Sequence, residues 1–276
     1  MARFNRILVT GAAGMLGDVL RTGLAPLARI IRASDIKEMR PAGPGEETVP
    51  CELGDFDAVM KLVEGCDTVV HFGAAPVERP WKEILNSSII GGYNVYEAAR
   101  RHGIKRVVYA SSIHAVGYVR REDGADTDTG HCPDSLYGVS KCFVEDLATL
   151  YFRKFGMESA LLRINTSIPE PKDRRHLATW MSFDDLVQLV TRSLVAERIG
   201  CSVLYGISDN KERFFNNDKS RHIGYVPKDT SEVFRQKIEA ACPPGDPHDL
   251  AVEFAGGVFC AMGHPDDEGI EDPRAI

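Results

Sequence analysis

The 276-residue chain carries 43% hydrophobic and 26% charged residues, the balance of a soluble globular protein rather than a fibrous or disordered one. Its net charge of −7 offers no basic face to neutralise phosphates, which argues against nucleic acid as a partner and for a small molecule. Seven scattered cysteines without a C-x-x-C pair argue against structural zinc and for reduced thiols in a cytoplasm; Met1-Ala-Arg-Phe leads straight into an apolar strand, and no apolar run approaches the length of a membrane span, so neither export nor membrane insertion is expected.

Arg6-Ile-Leu-Val-Thr10 reads as a short strand running into Gly11-Ala-Ala-Gly14-Met-Leu-Gly17, and from Met15 to Leu27 apolar residues recur at helical spacing. Strand, glycine turn and helix in that order can cradle a pyrophosphate. Glycine lets backbone approach the ligand closely, while the helix's free N–H groups and dipole hold negative charge. Residues 29–34 form a second strand ending in Asp35. A carboxylate there can accept hydrogen bonds from ribose hydroxyls and repels a 2′-phosphate, which favours NAD over NADP.

The alternation continues with a short strand over 48–51, a helix capped by Asp55 through Val63, and a strand over 67–72 that ends in Gly73-Ala-Ala-Pro76. A long helix over 81–102, a strand over 104–111, a helix over 134–155 and a strand over 158–164 complete a run of βα units. Such alternation predicts an α/β fold with a doubly wound parallel sheet, Rossmann-like, in one domain. Residues 5–164 are its dinucleotide-binding core. Residues 165–276 read mainly as a small substrate-binding lobe, except that a helix and strand over 183–206 return to the core. One further helix is expected over 231–241, and the tail around His264–Glu268 reads as solvated rather than metal-binding.

Ser135-Leu-Tyr137-Gly-Val-Ser-Lys141 sets a phenol and an ammonium four residues apart on one helix face. An ammonium beside the phenol favours the phenolate and brings its pKa toward working pH, so Tyr137 can serve as a general base. Ser112, just after the preceding strand, falls at the same carboxyl edge and can hold the oxygen that Tyr137 deprotonates.

With Gly11, Gly14, Gly17, Asp35, Ser112, Tyr137 and Lys141 present in order, the chain resembles the extended short-chain dehydrogenase/reductase family. Within it the resemblance is closest to the uronate dehydrogenases, through Val9-Thr-Gly-Ala-Ala-Gly14, Val77-Glu-Arg-Pro80, Tyr93-Asn-Val-Tyr-Glu-Ala-Ala-Arg100, Leu136-Tyr-Gly-Val-Ser-Lys-Cys-Phe143, Pro169-Glu-Pro171 and Thr179-Trp180. It implies NAD-dependent oxidation of the anomeric carbon of galacturonate or glucuronate to the lactone, with Ser112, Tyr137 and Lys141 catalytic. By the same resemblance NAD falls to Gly11, Gly14, Met15, Leu16, Gly17, Asp35, Ile36, Glu52, Leu53, Gly73, Ala74, Ala75 and Ile164, besides Tyr137 and Lys141. The sugar acid falls to Pro76, Ser112, Ile113, His114, Tyr137, Thr166, Arg175 and Phe259, with no metal, and a homo-oligomer is implied through helices such as 81–102 and 134–155.

Several positions depart from the pattern. Ile113 stands where the family has a substrate-binding asparagine, Pro76 where it has a serine, Thr166 where it has another serine, and Ser88 replaces an asparagine. Two polar contacts are thereby lost, which leaves open another aldose, neutral or sulfonated. A sugar epimerase or dehydratase and a non-catalytic NAD-binding sensor also remain open. Apart from the resemblance, Arg175 lies in the charge run Lys172-Asp-Arg-Arg175 and reads as a solvated face, His114 as a satisfied histidine, Trp180 and Phe259 as lobe packing, and Cys142 as core.

Overall fold

The computed structural model describes residues 2–267. Glu268 and the remainder of the expected lobe up to residue 276 lie outside the described residues. Seven strands form one parallel sheet: β1 (Phe4–Thr10), β2 (Ala28–Ser34), β3 (Glu46–Thr48), β4 (Thr68–His71), β5 (Arg106–Ser112), β6 (Glu158–Ile164) and β7 (Cys201–Gly206). Their spatial order is β3-β2-β1-β4-β5-β6-β7. The order reverses between β1 and β4, so the loops after those two strands diverge and open a crevice at their carboxyl ends.

Pleating sends alternate side chains to opposite faces, and two apolar layers result. Ile7, Val9, Val70, Val108, Ala160 and Leu162 face one layer, covered by helices α1 (Met15–Gly23) and α7 (Phe183–Val195). Leu8, Val69, Val107, Tyr109 and Leu161 face the other, under α2 (Phe56–Val63), α4 (Gly91–Arg101) and α5 (Leu136–Phe155). Burial on both faces explains the near-continuous apolar strands in the sequence. β7 adds to β6 in parallel, and α7 packs beside α1.

Element boundaries differ where proline, glycine or a cap intervenes. The first helix stops at Gly23 and passes into a 3₁₀ turn over Ala25–Leu27 that contains Pro26. The third strand sits at Glu46–Thr48 rather than 48–51: the chain beyond stays extended, with Val49 N donating to Ala33 O and Cys51 N to Asp35 O, but Pro50 has no N–H to give the ladder. The helix expected over 81–102 contains a short α3 (Trp81–Glu83), a π-helical segment over Ile84–Ile90, and α4. The helix expected from 134 begins at Leu136, capped by Ser135, whose Oγ accepts from Gly138 N at 3.0 Å. The helix expected over 231–241 opens as a 3₁₀ turn, Ser231–Phe234, before α8 (Arg235–Ala241).

A short helix, α6 (Arg174–Thr179), lies where sequence predicted only loop; Asp173 caps it by accepting from His176 N at 2.8 Å. The small α9 (Leu250–Glu253) and a 3₁₀ turn over Gly257–Ala261 complete the lobe. Beneath the lobe a third apolar cluster gathers Ile113, Val116, Ala125, Tyr205, Ile207, Phe215 and Ala255.

The Ile113 side chain is therefore spent in a core, with 2% of its surface exposed, and the loss of a polar contact inferred at this position is in the structure a gain of apolar packing. Burying a primary amide there without partners costs about 1–3 kcal/mol. Ile113→Asn is expected to lower the melting temperature without improving the kinetics toward any sugar acid. An unchanged melting temperature, with a lower KM, would show that the side chain reaches the pocket instead.

Candidate active site

The glycine turn after β1 leaves the N-terminus of α1 bare. Gly14 occupies the N-cap and supplies no side-chain bond, so the first-turn N–H groups remain available to an anion. Gly11 has a φ of 71°, and a Cβ there would lie 2.5 Å from Phe72 O, in the loop after β4. A Cβ on Gly17 would lie 2.1 Å from Gly11 O, backbone that has no room to yield. Asp35, one residue beyond β2, accepts from Ala13 N at 3.0 Å and Lys37 N at 2.9 Å, so its carboxylate is held against the same turn.

Gly11, Asp35, Ile36, Glu52, Leu53, Gly73 and Ala74 line one cavity of about 80 Å³, joined by Thr10, Ser34, Cys51 and Ser87. Thr10 and Ser87 were not singled out in the sequence. Thr10 Oγ1 accepts from Gly73 N at 3.0 Å and pairs with His71 Nδ1 at 2.7 Å, which ties the two diverging loops together. Met15 is exposed in the first turn of α1, Leu16 packs on the core, and Ile164 ends β6. Glu52 receives Asn86 Nδ2 at 3.3 Å from the π-helical segment, and Ser88 in that segment accepts from Ala75 N at 3.2 Å. That hydroxyl steadies the loop carrying the exposed Pro76. π-Bulges of this kind are frequent at functional sites.

Across the crevice, β5 ends in Ser112 and α5 begins at Leu136. The Ser112 hydroxyl favours the Tyr137 phenolate, and Lys141 Nζ donates to Ala110 O at 2.8 Å while lying 5.1 Å from the Tyr137 ring centroid. The three expected catalytic groups are thus assembled. Their protonation differs from the expectation: burial pushes the Tyr137 phenol up to about 12 and the Lys141 ammonium down to about 7. In the protein alone desolvation outweighs the attraction between ammonium and phenolate, because Lys141 is buried and Tyr137 half-buried, so each is pushed toward its neutral form.

Two carboxylates support the first turn of α5, and sequence reading assigned neither a role. Glu78 accepts from Leu136 N at 3.0 Å and Tyr137 N at 2.6 Å; it comes from the Val77-Glu-Arg-Pro80 stretch that carried part of the resemblance. Asp134 takes His114 Nδ1 at 2.7 Å and Ser135 Oγ at 2.7 Å. One helical turn beyond Lys141, Glu145 accepts from Ser111 Oγ, from Arg163 Nε at 3.1 Å and Nη2 at 2.8 Å, and pairs with His131 Nε2 at 2.8 Å.

The lobe closes the far side. The Phe259 ring stacks on His114 with centroids 3.9 Å apart and stands 6.3 Å from the Tyr137 ring, so it meets the pocket rather than the lobe core. Trp180 does the reverse, donating Nε1–H to Ile168 O at 2.8 Å and packing on Phe234. Cys142 is buried beside Ala115 O, as its core reading has it.

Arg175 overturns its reading as a solvated face. Its Nε and Nη2 donate to Ala255 O at 3.1 and 2.8 Å, and Nη1 stands 3.5 Å from Thr166 Oγ1. Burial disfavours its charge, and among the described residues no carboxylate lies within ion-pair distance of it. The Nε–Nη2 edge is taken by the lobe, so only the end-on edge, Nη1 with the second Nη2 hydrogen, is left for a ligand anion.

A family model described as the NAD dependent epimerase/dehydratase family matches residues 7–190. The chain is 49% identical over 261 residues to a uronate dehydrogenase of Pseudomonas syringae pv. tomato, covering 94% of each chain. It is likewise similar to the crystal structure of a glucuronic acid dehydrogenase from Chromohalobacter salexigens, with a TM-score of 0.94, 50% identity and coverage of 96% of this chain and 99% of that one. A mutant uronate dehydrogenase of Agrobacterium tumefaciens complexed with NAD superposes with a TM-score of 0.91 at 48% identity, over 94% and 98% of the two chains. With its parallel sheet, bare glycine turn and Ser112–Tyr137–Lys141 cluster, the chain belongs to the NAD dependent epimerase/dehydratase family, alongside the uronate dehydrogenases.

Proposed function

We propose that this protein oxidises the anomeric carbon of a hexuronic acid, galacturonate or glucuronate, to the lactone in an NAD-dependent reaction. The observation that carries the reading is the Arg175 guanidinium, which has no carboxylate partner among the described residues and lies in the lobe whose Phe259 ring stands 6.3 Å from that of Tyr137. A shielded cation without a carboxylate is costly in a resting protein and is offset by an anionic ligand. Neutral aldoses leave it unmatched. The 49% identity to a uronate dehydrogenase supports the same conclusion.

The residues around the glycine turn fit the cofactor: Gly11 and Gly17 let the turn close tightly on its own backbone and on the loop after β4, α1 keeps its first-turn N–H groups free of a side-chain cap, and among the described residues Ser34 Oγ beside Asp35 is buried with no partner. NAD, when bound, supplies the acceptor for the hydride from C1. The chain itself handles the proton. Ser112 orients the C1 hydroxyl, the Tyr137 oxygen takes its proton, and Lys141 beneath the ring balances the negative charge that the base carries before the transfer. Arg175 and Thr166 hold the carboxylate end of the sugar, and Phe259 with His114 closes over it. In this reading residues from 165 onward are mainly the substrate lobe, with α7 and β7 belonging to the core.

We further infer a homo-oligomer in a cytoplasm. Ile90, Tyr93, Val139, Phe143 and Leu150 leave an exposed apolar stripe on the π-helical segment, α4 and α5, the helices expected to meet a second copy. All seven cysteines are unpaired, which suits a reducing compartment, and among the described residues no helix is long and apolar enough to cross a membrane.

Since burial holds Tyr137 at about 12 and the reactive form is the phenolate, raising pH raises the active fraction. The expected kcat/KM for galacturonate climbs with pH, by roughly tenfold per unit at its steepest. Tyr137→Phe loses that limb and about 10²- to 10⁴-fold in kcat, with NAD affinity retained; near-normal turnover in this variant would remove Tyr137 as the base. Arg175→Ala is expected to raise KM for galacturonate and glucuronate roughly tenfold to a hundredfold more than for galactose and glucose, followed by NADH absorbance. Equal losses on both classes would sink the carboxylate contact. Light scattering should give a dimer or larger species that Phe143→Asp dissociates, whereas a wild-type monomer would rule out the interface.

A further inference from the structure

We propose that Asp134 is a positioning residue that fixes the tautomer of His114, so that His114 presents the Nε2 lone pair to a hydroxyl of the sugar. The inference rests on the reading that this pocket takes a sugar, and adds a role for a residue at the foot of α5. Four observations carry it. The Asp134 side chain is fully enclosed, with no exposed surface, and its Oδ2 lies 2.7 Å from His114 Nδ1. Its Oδ1 accepts from Ser135 Oγ at 2.7 Å, and Ser135 Oγ in turn accepts from Gly138 N, so the carboxylate is anchored to the first turn of the helix that carries Tyr137.

Two distant glycines make the seat. A Cβ on Gly117 would fall 1.8 Å from Asp134 Oδ2, and one on Gly256 would fall 1.9 Å from the same atom. The lobe and the loop after β5 are therefore both shaped around this one oxygen. Finally, the imidazole is clamped: Phe259 stacks on it at 3.9 Å between centroids, and the Tyr137 ring stands edge-on at 5.7 Å.

An ionised carboxylate only accepts hydrogen bonds, so a neutral imidazole bonded to it through Nδ1 carries its proton on Nδ1. Nε2 is then an acceptor, suited to a sugar O–H and unsuited to the sugar carboxylate, which falls to Arg175. The two ends of the substrate are thus read by groups of opposite hydrogen-bonding character. Swapping the tautomer would turn Nε2 into a donor facing the same hydroxyl.

The test combines a spectroscopic readout with a kinetic one. In protein labelled with ¹⁵N-histidine, long-range ¹H–¹⁵N correlation spectra, with His114 assigned by its loss in His114→Gln, should show the Nδ1–H tautomer. Asp134→Asn, close in shape, should increase the Nε2–H form and raise KM roughly tenfold for acidic and neutral sugars alike, with kcat changed far less. An Nε2–H tautomer in the wild type, or an Asp134→Asn variant with unaltered tautomer and KM, would overturn the proposal. The spectra need no turnover, so if no uronate reduced NAD the proposed function would fall while the tautomer was still decided by its own measurement.

Discussion

The enclosed pair between Glu145 on α5 and Arg163 on β6 holds the site together. Each side chain is only 3% exposed, and the carboxylate also gathers Ser111 from β5 and His131 from the loop before α5. Tyr137, Lys141 and Glu145 follow one another at helical intervals of four, so they share a face. Fastening the third of them to two strands sets where the first two stand. Removing one partner of such a pair leaves a buried charge uncompensated, at a cost of about 3–5 kcal/mol. The helix dipole is served at its other end by Glu78, whose carboxylate meets two of the free N–H groups.

Around that fixed helix, charge is distributed by burial more than by attraction. Tyr137 and Lys141 each lean to the neutral form because burial disfavours their charge, and Arg175 bears a charge that no carboxylate among the described residues pairs. Burial thus sets the charge balance of the site, and a ligand that brings charge into it shifts that balance.

Much of this was readable from the chain. Short, near-continuously apolar strands alternating with amphipathic helices specify a parallel sheet, and glycine, Asp35, serine, tyrosine and lysine in order specify a dinucleotide site, because these signals are local. What eluded sequence reading depends on long-range packing. Apart from the family resemblance Arg175 looked like surface because its neighbours Lys172 and Asp173 are charged, and the carbonyl of Ala255, eighty residues on, turns it inward. Ile113 looked like a lost amide because the cluster that receives it is assembled from β7 and the lobe. Asp134 and Glu78 carried no signal in their spacing, since both act on backbone or side chains brought near by folding. The short α6 was missed for want of length: six residues show no period.

The path of the chain through the lobe has a consequence for how the protein can be altered. Residues 165–182 and 207–267 reach the pocket from two separate passages, divided by α7 and β7, which belong to the sheet. Arg175 on the first passage grips Ala255 on the second. The lobe is therefore a spliced object rather than an appended one. A chimaera exchanging everything after β7 would import a new Phe259 region while keeping the old guanidinium, and would have to recreate the grip between them. Specificity in this architecture is transplanted in matched halves.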